Sequence, residues 1–166
     1  MRVQPTDESG SGSRVDYRWD RDTDILSAQV RRMAVVSDGG TGAMEIEGRD
    51  GSWLVLDVES GTIRGVEIAV WPRVLRRRSL TPPDSVCDAR VQIGGDANGD
   101  VLALEMNTFV HAESDEHETT LHFRLGRRRP SRTVRIASEI LLDIDDTERL
   151  AGVWLLRVPP FPEDES

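Results

Sequence analysis

Leu54-Val-Leu-Asp-Val-Glu-Ser-Gly-Thr-Ile-Arg-Gly-Val66 decides how this chain is read, because it returns, with one residue inserted, as Ile140-Leu-Leu-Asp-Ile-Asp-Asp-Thr-Glu-Arg-Leu-Ala-Gly-Val153. Each copy sets two leucine-rich and β-branched runs about a short polar turn, the pattern of a β-hairpin. Outward from it, Trp19-Asp-Arg-Asp-Thr-Asp-Ile-Leu26 returns as Gly95-Asp-Ala-Asn-Gly-Asp-Val-Leu102. Two motifs recurring in the same order predict a tandem duplication. The back motifs lie further apart than the front ones, which places the additional residues of copy two in its acidic loop, Glu113 to Glu118.

The expected fold is mainly β with little helix: two tandem antiparallel meander repeats that share one core and are related by a pseudo-twofold. A chain of 166 residues gives each copy about 75, too few to bury a sufficient core alone. Residues 1–13 read as a Gly- and Ser-bearing disordered leader, 14–72 as repeat one, 73–88 as a linker, 89–158 as repeat two, and 159–166 as an acidic tail behind Pro159 and Pro160. Val15, Tyr17 and Trp19 alternate with charged residues, a strand that returns through the Asp20 to Asp24 turn. In copy two, Arg90 to Ile93 is expected to pair with Val101 to Val110 across Gly94 to Asp100. Thr119 to Leu125 should place Leu121, Phe123 and Leu125 on one face, with His122 and Arg124 on the other.

The pattern aromatic-Asp-x-x-x-Asp-x-Leu, followed by hydrophobics-Asp-x-x-x-Gly-x-x-x-Gly-Ile-Glu-Ile, resembles a family of small bacterial domains known only as a domain of unknown function. Trp19, Asp20, Asp24 and Leu26 occupy the opening positions; Asp57, Gly61, Gly65, Val66, Glu67 and Ile68 occupy the closing ones. Copy two keeps Asp96, Asp100, Leu102, Asp143, Gly152 and Val153, but has Glu148 in place of the first Gly and Trp154 in place of the acid. The resemblance covers about two thirds of the chain and implies a small antiparallel β fold; it implies no activity.

The formal net charge of -9 opposes attraction to nucleic acid and to anionic membranes. All 21 basic residues are arginine, so Schiff-base and P-loop lysine chemistry are excluded. The arginines form two runs, Arg73 with Arg76 to Arg78, and Arg127 to Arg129 with Arg132 and Arg135, read as solvated turn and edge residues. Cys87 is the one cysteine, expected as a small buried hydrophobe. With no long apolar run, no N-terminal signal region and no disulfide, a cytoplasmic protein without a membrane association is expected.

Asp20, Asp22 and Asp24, and again Asp96, Asn98 and Asp100, have the spacing of the first oxygen ligands of a calcium loop. The loop's glycine and distal glutamate are missing, and Asp side chains bonding their own turn explain the same spacing. His111 and His122, near His117 and the acidic loop, could hold zinc across a hairpin. Asp57 and Glu67, with Asp24, offer carboxylates for acid–base work, yet nothing positions a substrate by them. Trp19, Trp53, Trp71 and Trp154 are the largest apolar groups, suited to a shared core or a partner surface. Ile68, Val70 and Trp71, if at a sheet edge, together with Trp154, would form that surface. The expected function is therefore a non-enzymatic protein-binding or self-associating module, a homodimer or the receptor of a protein partner, with no resident cofactor. The alternative is a metal- or calcium-dependent enzyme or sensor using the Asp turns or the histidines.

Overall fold

Period-two alternation carries through to strands nearly everywhere in the chain. The structure, a computed structural model, describes residues 1–5, 13–31, 40–93 and 101–163. Among these there is no helix, and so none long and apolar enough to cross a membrane. The strands are β1 (Arg2–Pro5), β2 (Val15–Asp20), β3 (Ile25–Val30), β4 (Thr41–Gly48), β5 (Trp53–Glu59), β6 (Thr62–Val70), β7 (Val74–Arg76), β8 (Val86–Gln92), β9 (Val101–Thr108), β10 (Val110–Ser114), β11 (Leu121–Leu125), β12 (Ser131–Ala137), β13 (Ile140–Asp145) and β14 (Leu150–Leu155). The mainly β class expected from sequence is what the chain adopts.

Both hairpins of the duplicated motif form, with matching register. β5 and β6 align Leu54 with Ile68, Leu56 with Val66 and Asp57 with Gly65; β13 and β14 align Ile140 with Leu155, Leu142 with Val153 and Asp143 with Gly152. The first turn uses Ser60 and Gly61 at positive φ. The second uses Glu148 at φ 58, held by the Asp145 carboxylate, which accepts from the Thr147 and Arg149 amides.

At the front of copy two the chain departs from expectation. Arg90 to Ile93 and Val101 to Val110 do not pair with each other. β8 instead runs parallel to β12, aligning Thr133 with Val86, and β9 runs parallel to β4 over its full length, Thr41 with Val101 through Gly48 with Thr108. β4 and β12 would otherwise be open edges with unpaired amides, and each takes a strand from the middle of the chain to cover itself. The place that β3 holds beside β6, Leu26 opposite Ile68 and Ala28 opposite Val66, is filled beside β14 by β11, with Leu121 opposite Leu155 and Phe123 opposite Val153. One half is thus β2-β3-β6-β5-β4-β9, the other β10-β11-β14-β13-β12-β8, joined where Thr62 of β6 meets Gln92 of β8.

Smaller departures follow from the same edges. Arg2–Pro5, expected in the leader, pairs with β8, and Val74–Arg76 of the linker adds in parallel to β10. Cys87 is exposed, because β8 only begins at Val86. β6 is an interior strand between β3 and β5, so Ile68 is fully buried rather than at an edge; Val70, at the strand's end, is exposed.

The two halves close on one apolar cluster, with Leu26, Ile46, Leu54, Leu56 and Ile68 from the first and Phe123, Leu125, Ile140, Leu142 and Leu155 from the second. Trp19 stacks on Trp71 at 5.6 Å, and Trp71 lies 6.1 Å from Phe123 across the seam. The segment after β14 is strapped onto β2: the Tyr17 hydroxyl donates to the Leu156 carbonyl at 2.6 Å and the Trp19 indole to that of Pro159 at 3.0 Å. Burial, with the charge of Glu139 nearby, pushes the Tyr17 phenol above its ordinary value.

Candidate functional site

On the outer face of the second half, register alone sets out the neighbours. Pairing places Glu113 beside His122, His122 beside Trp154 and Trp154 beside Leu141 in one row. The next row is His111, Arg124, Gly152, Asp143 and Thr133. Gly152 therefore leaves a gap between Arg124 and Asp143, and His122 leans diagonally across it to place Nε2 2.8 Å from Asp143 Oδ2. A Cβ on residue 152 would fall 2.5 Å from Asp143 Oδ2, 3.0 Å from the Phe123 carbonyl and 3.1 Å from His122 Nε2, so only glycine fits beneath the pair.

Asp143 is buried and fully engaged. The Thr133 hydroxyl donates to Oδ1 at 2.6 Å, and the Trp154 indole N–H lies 3.2 Å from each oxygen. Burial pushes this carboxyl up, but the bonds from His122 and Thr133, the His122 charge and the Trp154 N–H outweigh it and hold Asp143 below the usual carboxylate range. An ionised Asp143 fixes Nε2 of His122 as the donor. The imidazole also stacks on the Trp154 indole, ring centres 4.0 Å apart at 18°. Leu141 and Trp154 are buried yet stand outside the main core cluster, a second layer on the outer face.

Over this face lies a cleft of about 570 Å³. Six of the 21 arginines line it, Arg73, Arg77, Arg124, Arg127, Arg128 and Arg129, against the carboxylates of Asp50, Glu113 and Asp143. Two of the six are committed elsewhere. Arg77 pairs with Glu113 at 2.9 Å. Arg129 locks the turn after β11, donating Nε to Asp145 at 2.8 Å, Nη1 to the Leu125 carbonyl at 2.6 Å and Nη2 to that of Leu150 at 3.0 Å. Arg124 has no ion-pair partner among the described residues, and its Nε is buried without an acceptor.

The first half carries the same rows with other residues. Gln29 stands where Arg124 does, opposite Gly65, and donates Nε2 to Asp57 at 3.0 Å. Ser27 stands where His122 does, 3.4 Å from Glu67, which takes the place of Trp154. There the glycine gap is filled by a neutral amide; in the second half His122 takes the carboxylate and the cation is left over.

The sequence-named residues separate accordingly. Asp20, Asp22 and Asp24 build the β2–β3 turn, the Asp22 amide donating to Asp20 Oδ1 at 3.0 Å and Asp24 adopting φ 58, as expected of Asp residues bonding their own backbone. Asp96, Asn98 and Asp100 lie outside the described residues. His111 and His122 line one cleft but His122 is taken by Asp143, while His117 sits exposed in the turn after β10. Among the described residues no three His, Cys, Asp or Glu side chains converge as a metal needs. Asp57 and Glu67 are held by Gln29 and Ser27. Trp154, expected at a partner surface, is buried against His122, Trp71 is half-buried at the seam, and Trp53 is exposed. Sequence reasoning missed the pairing of His122 with Asp143, although Trp154 in place of the acid marks the spot. No model of a known protein family matches the chain, and no curated protein matches it.

Proposed function

We propose that this chain is a non-enzymatic binding module that receives an acidic protein partner in the arginine-lined cleft of its second half. The observation that carries this reading is the concentration of six arginines around one cleft in a chain of net charge -9. Positive potential gathered against an opposite net charge serves orientation, since the net negative charge repels anions from the rest of the surface and the arginines admit them at one place. Arg73, Arg127 and Arg128 make no ion pair among the described residues and stand at the rim. A cytoplasmic setting suits this role, and kinship with the small bacterial family rests on the Asp57–Gly65 and Asp143–Gly152 pairs.

Titration calorimetry with heptaglutamate peptide tests it. Saturable binding at low salt that weakens as salt rises, and that Arg127→Ala with Arg128→Ala abolishes, is the expected result. Binding that ignores both salt and the double substitution, or no binding at all, would refute it.

A further inference from the structure

Resting on that reading of the cleft, we propose that its floor is an oxyanion pocket for a phosphate monoester, a phosphorylated side chain of the partner, with Arg124 as the residue that determines specificity. Three observations converge on Arg124, at the wall of the cleft beside the filled gap over Gly152. First, Arg124 is half-buried in the cleft wall and makes no hydrogen bond or ion pair among the described residues, so the terminal N–H groups of its guanidinium are left for a ligand that supplies oxygen. Second, the carboxylate that would satisfy it is already saturated, Asp143 accepting from His122, Thr133 and Trp154. The equivalent Gln29 of the first half does reach its aspartate. Third, His111 is the cross-strand neighbour of Arg124, and Arg127 and Arg128 follow from the next turn.

Donors thus approach from two strands and a turn. A carboxylate has two coplanar oxygens and is satisfied by one guanidinium; a phosphate monoester has three terminal oxygens in a tetrahedral array and up to two charges, which this spread of donors can meet together. Asp50, Glu113 and Asp143 also line the cleft, and Asp143 is engaged by His122, Thr133 and Trp154. Glu113 is neutralised by Arg77, and Asp50 is turned to Ser52, whose hydroxyl and amide donate to it at 2.6 Å and 3.1 Å.

The test compares heptaglutamate with the same peptide carrying phosphoserine at its centre, and with phenyl phosphate, on the wild-type chain and on Arg124→Gln. The glutamine removes the charge and keeps a polar amide of similar reach, and a thermal melt verifies that the fold is kept. The phosphopeptide should bind roughly tenfold or more tightly than heptaglutamate. Arg124→Gln should erase that difference, bringing the phosphopeptide to the affinity that the same variant shows for heptaglutamate. Equal affinity of the two peptides for the wild-type chain, or an advantage that survives Arg124→Gln, overturns the phosphate pocket while the cleft reading stands. Failure of both peptides to bind removes both. Phenyl phosphate binding as tightly as the phosphopeptide supports the pocket and overturns a protein as its source.

Discussion

At the scale of single residues, the site turns on a side chain that is absent. Gly152 has neither a turn to make nor a positive φ to adopt; it is required because two functional groups occupy the volume its Cβ would need. Gly152→Ala must push apart Asp143 and His122 or shift the Phe123 carbonyl, so we expect a destabilisation of about 1–3 kcal/mol, read as a lower urea midpoint with an unchanged m-value. The motif Asp-…-Gly was legible in the sequence because it occurs twice, but its meaning was not. Asp143 and Gly152 face each other only once the register is known, and His122 reaches them from a different hairpin. The metal readings of His111 and His122 came from counting donors along the chain; the structure spends His122 on a carboxylate instead.

At the scale of elements, the two arginine runs have different work. Arg76 and Arg77 meet Glu118 and Glu113 across the β7–β10 edge, exposed pairs of little worth to stability. Arg129 bridges the end of β11, the Asp145 turn and the start of β14 with charge-assisted bonds, and Asp145 is held well below the usual carboxylate range: burial raises it, but the Arg149 and Thr147 amides, Arg129 and the Thr147 hydroxyl outweigh that. Arg129→Ala should therefore cost about 2 kcal/mol, and Arg76→Ala under about 0.5 kcal/mol, a contrast that paired denaturation curves would check. Composition marked both runs as solvated turns and could not rank them, because a guanidinium's value depends on the carbonyls it meets. Strand identity was far more legible: alternation in Leu121, Phe123 and Leu125 placed the right face inward. What pattern could not supply was partner choice, since alternation along a run names its two faces but not the edge it joins.

At the scale of the whole molecule, neither half is complete on its own stretch of chain. The first half needs β9 along β4, and the strap from Leu156 to Glu163 ties Tyr17, Trp19 and Arg21 of the first half to the end of the second. A fragment ending at Thr81 lacks both, so it should show no cooperative thermal transition by circular dichroism; a sharp, reversible melt of that fragment would mean that β9 is dispensable. The expectation of a shared core pointed the same way from size alone, but size could not say that the sharing extends to hydrogen-bonded strands. The β4–β9 pairing also sets an order of events on the ribosome. Val70 closes the first half's own hairpins, yet Thr108, the last residue of β9, is added 38 residues later, roughly two to eight seconds at ordinary elongation rates. During that interval the nascent chain exposes the whole length of β4 as an unpaired edge, so translation speed between these two points governs how long it is open to mispairing.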